Sequence, residues 1–336
     1  MTTIVLTGGG TGGHVIPNLA LLDEIYKYFD NVHYVGGNGI EEELVKKEGI
    51  PFHKTTTVKL DRTKLLSNAK IPFLFPKGIF EAKELLSEIA PNVIFSKGGY
   101  ASLPTCYAGK LLNVPIVCHE SDYTLGLANK IVSKFAVKTL TSFPETPNGI
   151  FVGNPIREVF LNQSKIRKPN VKLDEKKPVI LICGGSLGST YINEIIYNLL
   201  PTLLKSYNII HIAGKHGNFD IKGKNYYQFS YVDDFPSYLS IADIVISRSG
   251  ANTLNEIASM GKRCITIPLP KGASRGDQLL NAKSYEKRGH CLLLPQENLT
   301  AESLLNYIER VWYVTPNVLD ASKTNKNIIK HILSVM

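Results

Sequence analysis

Residues 3–17, TIVLTGGGTGGHVIP, run from a short apolar stretch through five glycines towards a helix. Ile4, Val5 and Leu6 read as a strand, Gly8 to Gly13 as a turn, and Val15 onward as a helix. Such a turn directs free backbone N–H groups and a positive helix end at one spot, where an anion is the natural occupant.

Spacing narrows the choice of anion. A P-loop requires Gly, four residues, Gly, then Lys and Ser or Thr. Here Gly13 is followed by His14 and Val15, which excludes it. Gly8, Gly10 and Gly13 satisfy G-x-G-x-x-G, but a dinucleotide site also needs an acid closing the next strand. That strand, Val32 to Val35, is closed by Gly36, Gly37 and Asn38, and Asp30 lies at its wrong end. NAD is therefore disfavoured. What remains is a glycine loop with His14 at its mouth, facing a phosphorylated group other than a dinucleotide. A loop that only turned a corner would need one or two glycines.

The 336 residues are 43% hydrophobic and 20% charged, which suits two domains with cores of their own. The formal charge of +9 favours anionic partners: nucleic acid, an anionic membrane surface or phosphorylated substrates. A nucleic-acid binder would gather its cations in a stripe with stacking aromatics between them. Here Lys and Arg are spread along the length, and no nucleic-acid partner is expected. Cys106, Cys118, Cys183, Cys264 and Cys291 stand singly, mostly in apolar runs, and read as reduced core residues of a cytosolic protein. The chain enters a strand at once, and no apolar run approaches the ~20 residues of a spanning helix, so neither export nor membrane embedding is expected.

Short apolar strands alternate with helical patterns, the signature of parallel βαβ units. Strands are predicted near Thr3 to Thr7, Val32 to Val35, Phe52 to Thr56, Val93 to Ser96, Ile116 to His119 and Val137 to Leu140. The pattern then restarts: Pro178 to Cys183 is a strand, GGSLGS a second glycine turn, and Tyr191 to Lys205 a helix. Between the halves, Val152 to Lys176 is polar, Lys-rich and weakly periodic, a linker. The expected fold class is α/β, with two Rossmann-like domains facing across a cleft and each glycine loop at the carboxyl end of its strand.

In the second half, SRSGANTLNEIASMG (residues 247–261) reads as a strand end and a helix. Ser247 or Ser249 can cap it, Gly250 and Ala251 leave the first N–H groups open, and Gly261 ends it. An anion fits there as well. Glu256, further along that helix, is either a solvated helix residue or a carboxylate accepting two ribose hydroxyls. Asp277 and Gln278 start another helix, as caps or as readers of sugar hydroxyls.

TGGGTGGHVIPNLAL, FSKGGYASLP, HESDYTLGLANK, VGNPIRE, GGSLGSTYINE, YVDDFPSYLSIADIVISRSGANTLNEIA and SRGDQLLNAK resemble, in this order, the signatures of the MurG family of UDP-N-acetylglucosamine transferases. The likeness spans residue 3 to about 290. It implies the two-domain GT-B glycosyltransferase fold and an inverting mechanism with neither metal nor cofactor, in keeping with the lack of a D-x-D. The substrates it implies are UDP-N-acetylglucosamine and lipid I, whose muramic 4-hydroxyl is glycosylated to form lipid II for peptidoglycan. Another GT-B UDP-sugar transferase with a different lipid acceptor, such as diacylglycerol, is the alternative.

The resemblance also assigns regions and residues. Residues 1–156 would hold the acceptor, 157–317 the donor, and a C-terminal helix of about 318–336 would pack back on the first domain. Ser186 and Asn193 match positions near the donor diphosphate and sugar, Arg157 the linker arginine, and Ala251, Asn252 and Thr253 the phosphate-binding helix end. Glu256 matches the ribose ligand, Tyr231 and Val232 flank the uracil, Gln278 reads the N-acetylglucosamine, and Thr11, Gly12 and Gly13 join the donor contacts. Gly9 and Gly10, with Gly98, Gly99 and Tyr100 of the Lys97 to Tyr100 loop, would cradle the acceptor's pyrophosphate. Two residues depart from the pattern: Asp122 stands where many members have Asn, and Leu187 where Gln is frequent. His14, suited by its near-neutral pKa, is the first candidate for the base that takes the hydroxyl proton, or else a loop-packing residue. Asp122 is a second base candidate or a hydroxyl acceptor.

A lipid-linked acceptor calls for a membrane contact at the cytoplasmic face. Phe73, Phe75, Ile79 and Phe80 cluster between Lys64, Lys70, Lys77 and Lys83, with Pro72 and Pro76 expected to prevent a continuous helix. An apolar knob ringed by Lys suits an anionic bilayer, although such clusters also pack into cores.

Overall fold

The computed structural model describes residues 1–60, 65–185, 188–270, 272 and 275–336, with the backbone alone at 65–67. The chain divides into two compact units, Met1–Arg157 with Ala321–Met336, and Glu158–Asp320. Arg157 thus falls in the first unit, and residues 318–320 in the second.

The first unit carries seven strands: β1 (Thr3–Thr7), β2 (Asn31–Gly36), β3 (Phe52–Lys54), β4 (Val93–Ser96), β5 (Ile116–Glu120), β6 (Lys138–Thr141) and β7 (Ile150–Phe151). They pair in the order β3-β2-β1-β4-β5-β6-β7, and every pairing is parallel. A parallel sheet is covered on both faces, which is why its strands read as unbroken apolar runs. Ile4 and Leu6 enter one core with Val93, Phe95, Val117 and Leu140; Val5 points to the other with Ile94, Ile116 and Cys118. The first core is completed by Ile328, Ile329 and Ile332 of the helix Thr324–Leu333. Asn325 on that helix donates to the carbonyls of Ala20 (2.9 Å) and Ile156 (2.8 Å).

The second unit has β8 (Val179–Cys183), β9 (Asn208–Ile212), β10 (Tyr226–Phe229), β11 (Ile244–Ser247), β12 (Arg263–Thr266) and β13 (Leu292–Leu293). Their order is β10-β9-β8-β11-β12-β13, again all parallel. Both sheets reverse their strand order next to their first strand, between β1 and β4 and between β8 and β11. Loops leaving the carboxyl ends of strands at such a switch point line the crevice where ligands bind. Each unit therefore has a pair of loops so placed: residues 8–11 and 97–99 in the first, and 248–250 with the described residues 184–185 and 188–189 in the second. All five cysteines are buried and unbridged.

Several local expectations are corrected. The first helix is Gly12–Leu19, starting ahead of Val15, so His14 lies in its first turn. Glycine is a poor helix former because it loses the most backbone freedom, and the helix is held by the buried residues that follow, Val15, Pro17 and Asn18. Proline does not interrupt the apolar knob: Ile71–Ile89 is one helix of 19 residues. Pro72 sits in the first turn, where no N–H is missed, and Pro76 is carried by packing further along. Gly78, Ala82 and Leu86 are buried, and a Cβ on Gly78 would stand 2.0 Å from the Thr56 carbonyl oxygen, so the helix lies directly on the backbone after β3. Phe75 turns inward onto Tyr107 (ring centroids 5.6 Å apart) and Ile79 packs on the sheet core, so only Phe73 (79% exposed) and Phe80 (62%) of the four lie open. Lys64 lies outside the described residues. No helix among the described residues is long and apolar enough to cross a membrane.

Candidate active site

The first unit's two switch-point loops touch. The N–H of Gly9 donates to the Gly98 carbonyl (3.3 Å), and His14 Nδ1 lies 3.1 Å from the Lys97 carbonyl. Gly99 has φ +80°, and a Cβ there would stand 2.2 Å from the Gly9 carbonyl oxygen and 2.9 Å from His14 Cδ2, so only glycine lets the loops approach. A carbonyl can only accept, so Nδ1 of His14 carries a proton, and in the neutral ring the lone pair is on Nε2. Tyr100 follows, its hydroxyl pKa raised by burial and by the charge of Glu41. Of the candidates in this unit, the structure brings together Gly9, Gly10, Thr11, Gly12, Gly13, His14, Gly98, Gly99 and Tyr100. The cradle differs from the expectation in its donors: the N–H of Gly9 is taken by Gly98, and that of Gly10 by Glu41 Oε2 at 3.1 Å. Gly12 and Gly13 form the first helical residues, with exposed Thr11 as N-cap making no side-chain cap bond.

Beneath this lies a buried polar network on β4 and β5. His119 donates from Nε2 to the Gly153 carbonyl (2.9 Å), so its Nδ1 accepts from Lys97 Nζ (2.5 Å). The ammonium also donates to Ser121 Oγ (2.8 Å), which donates to Asn154 Oδ1 (2.9 Å). Burial pushes Lys97 down to about 7 despite the opposing charges of Glu120 and Asp122. Burial and the Lys97 charge hold His119 well below the usual histidine range. Glu120 accepts from the N–H groups of Asp122 (3.0 Å) and Gly126 (2.8 Å) and from Asn129 Nδ2 (2.9 Å). This shapes the turn that carries Asp122.

In the second unit the helix Ala251–Ser259 starts beyond β11 with Gly250 as N-cap and no side-chain cap bond. Neither expected serine caps it: Ser247 lies in β11, and Ser249 Oγ is bonded to Thr266 Oγ1 across to β12 (2.7 Å). The first turn, with Ala251, Asn252 and Thr253, therefore presents a positive end uncovered by a capping side chain. Glu256 lies half-buried on the same helix, and Gly261 (φ +63°) follows its end. Ser186 and Leu187 lie outside the described residues. Asn193, 2% exposed, is committed inward: its Nδ2 donates to the Ala213 carbonyl (2.9 Å), and its Oδ1 accepts from His211 Nε2 (3.0 Å). Tyr231 (59% exposed) and half-buried Val232 sit in the loop after β10. Gln278 Oε1 accepts from the Leu269 N–H (3.0 Å), leaving its NH2 group as the part it can offer a sugar. Asp277 does not cap its helix; it pairs with Arg275 (2.7 Å) just after the N-cap Gly276.

The glycosyltransferase family 28 N-terminal domain matches residues 4–141, and the family 28 C-terminal domain matches residues 179–333. A UDP-N-acetylglucosamine--N-acetylmuramyl-(pentapeptide) pyrophosphoryl-undecaprenol N-acetylglucosamine transferase of Clostridium novyi (strain NT) is 42% identical over 92% of this chain and 90% of its own. The chain belongs to glycosyltransferase family 28. A second relative from Bacillus cereus (strain ATCC 10987 / NRS 248), named for the same transfer, is 43% identical over 93% of this chain and 92% of its own. The crystal structure of Acinetobacter baumannii MurG shares the fold, with a TM-score of 0.73 at 24% identity over 99% of this chain and 100% of that one. The resemblance to the MurG family read from seven motifs thus holds for this family 28 enzyme.

The structure adds residues that sequence reading passed over. Arg248, inside the quoted SRSGAN, is 6% exposed and donates to the carbonyls of Ile267 (3.1 Å) and Pro268 (3.2 Å) and to Ser189 Oγ (2.7 Å). Burial lowers its pKa to about 10, so it stays cationic at neutral pH. No carboxylate pairs with it among the described residues, and a buried guanidinium without a counter-charge is costly unless a ligand supplies one. An arginine between two serines, directly after the apolar run Ile244 to Ile246, was the available signal. Glu120 stood within the quoted HESD, but nothing local says which backbone groups a carboxylate will meet.

Proposed function

We propose that this family 28 glycosyltransferase moves N-acetylglucosamine from UDP-N-acetylglucosamine to the muramic 4-hydroxyl of undecaprenyl-pyrophosphoryl-muramyl-pentapeptide, forming lipid II for peptidoglycan. The observation that carries this is identity of 41–43% over nearly the whole chain to enzymes named for that transfer.

In this reading His14 is the general base. Its Nε2 takes the 4-hydroxyl proton as that oxygen attacks the anomeric carbon and UDP leaves from the opposite side, inverting the centre. The Lys97 carbonyl at Nδ1 supports the required tautomer. Asp122 accepts a hydroxyl of the bound sugar and orients it. The departing UDP gains negative charge, which the uncapped first turn at Ala251, Asn252 and Thr253, Ser186, Arg157 and the buried Arg248 stabilise without a metal. Glu256 holds the ribose, Tyr231 and Val232 flank the uracil, and Gln278 meets the sugar. Asn193 acts through the backbone it holds. Gly9, Gly10, Gly98 and Gly99 let the two loops close on each other and on Tyr100 beside the acceptor's pyrophosphate, whose charge the N–H groups of the first helical turn meet. The chain works at the cytoplasmic face of the membrane, which it meets peripherally through Phe73 and Phe80.

The test is transfer by the purified chain of labelled N-acetylglucosamine from its UDP donor to a lipid I analogue, with diacylglycerol as the competing acceptor. Product with diacylglycerol alone would reassign the acceptor.

A further inference from the structure

The first glycine loop already holds an anion, and that anion belongs to the protein. Glu41 is the second residue of the helix Ile40–Lys47 and is fully buried. Its Oε2 accepts from the Gly10 N–H and its Oε1 from the Gly37 N–H, each at 3.1 Å. One carboxylate thereby ties the loop after β1 to the turn after β2. Bonds from N–H groups to a carboxylate are stronger than neutral ones, and more so out of water. The place of Glu41 in the first turn of its own helix offsets part of the cost of burying its charge.

The surrounding glycines are cut to this carboxylate. A Cβ on Gly9 would stand 2.6 Å from Glu41 Cδ, and one on Gly39 would stand 2.5 Å from Oε2. At Gly10 (φ +86°) a Cβ would instead meet the Tyr100 ring at 2.4 Å. Gly10 is thus held between the Glu41 carboxylate and Tyr100, four residues before His14.

We propose that Glu41 is a positioning residue for the transfer reaction: by clamping Gly10 to Gly37 it fixes the loop that seats Tyr100 and leads into the turn bearing His14. The proposal rests on the reading that His14 serves the acceptor hydroxyl. Glu41 touches no reacting atom; it acts through the loop.

The experiment uses the full chain and two variants. Glu41→Gln keeps the shape but sets an NH2 group against one of the two N–H donors; Glu41→Ala opens the space. Turnover and acceptor KM are measured with the lipid I analogue well below each variant's melting temperature. UDP affinity is measured by calorimetry, and sodium formate is titrated in at constant ionic strength. Glu41→Ala is expected to lose about tenfold or more in kcat, and Glu41→Gln several-fold, with UDP affinity within about twofold of wild type. Formate, a carboxylate small enough for the vacated space, restores about threefold or more to Glu41→Ala and nothing to wild type. Variants matching wild type in kcat and acceptor KM, or a loss that formate leaves unchanged and that disappears on cooling, overturn the proposal. Should Glu41→Ala fail to fold, Glu41→Gln decides alone: wild-type kinetics in that variant overturn it. A wild-type chain that transfers nothing overturns the functional reading and this proposal together.

Discussion

The backbone and the side chain of Lys97 face different partners: the carbonyl receives His14 Nδ1 at 3.1 Å, while the ammonium is buried against His119 and Ser121. If His14 takes the proton, His14→Ala lowers turnover by well over about tenfold and leaves UDP affinity nearly unchanged, since the residue belongs to the acceptor side. Steady-state kinetics with UDP calorimetry check this, and a loss as large in Asp122→Asn would move the base to the carboxylate. The ammonium has its own signature. Burial places the Lys97 pKa at about 7 in the folded chain, against 10.5 for an ordinary lysine. The folded state therefore carries the full cost of the buried charge below pH 7, and that cost fades as pH rises towards 10.5, where the unfolded chain also loses the proton. Wild type should gain on Lys97→Met between about pH 7 and 8.5, below the range where buried thiols titrate, by about 1–2 kcal/mol or roughly 3–6 °C in melting temperature. Melting curves of both proteins at the two pH values check this; a constant gap would place the lysine's pKa elsewhere. None of this was legible locally. The sequence showed a Lys beside two glycines, and only the pairing of β4 with β5 puts His119 next to it.

The helix Ile71–Ile89 shows how far an element can be read from its residues. Its composition was legible and its continuity was not, because two prolines read as breaks when neither position ends the helix. Its face was ambiguous for another reason. At 3.6 residues per turn, Phe73, Pro76, Lys77 and Phe80 share one side, whereas Phe75 and Ile79 belong to the opposite one. The packed side is the one bearing Gly78 and Ala82, residues small enough for close approach. Phe73→Ser/Phe80→Ser should accordingly keep its melting temperature and lose binding to vesicles containing anionic lipid, binding that in wild type falls with added salt. Vesicle co-sedimentation with a melting curve tests both halves, and unchanged vesicle binding would send the membrane contact elsewhere. Phe75→Ser should instead lower stability, because it strips the edge-on contact with Tyr107.

On the scale of the whole molecule, one plan occurs twice: a parallel sheet whose order reverses beside its first strand, with paired loops at that reversal. If donor recognition belongs to the second unit, Glu256→Ala weakens UDP binding and raises the donor KM, with the acceptor KM little changed, since a ribose contact is already made in the ground state. Calorimetry with UDP is enough, and unchanged affinity would return Glu256 to an ordinary helix residue. The two-unit plan, the parallel strands, the glycine turns and the family were all readable from residues next to one another. Strand and turn preferences arise from neighbouring sterics and from unbroken apolar runs, and a family signature is itself a local string. Tertiary structure alone decided which polar groups meet. It placed the Glu41 carboxylate on the Gly10 N–H that looked ready for a substrate phosphate, turned Ser249 away from its helix towards Thr266, and left Arg248 buried with no carboxylate beside it among the described residues. The reason is physical: a buried charge or hydroxyl must find its partner wherever packing offers one, and those partners lie on other strands and helices, far away in sequence.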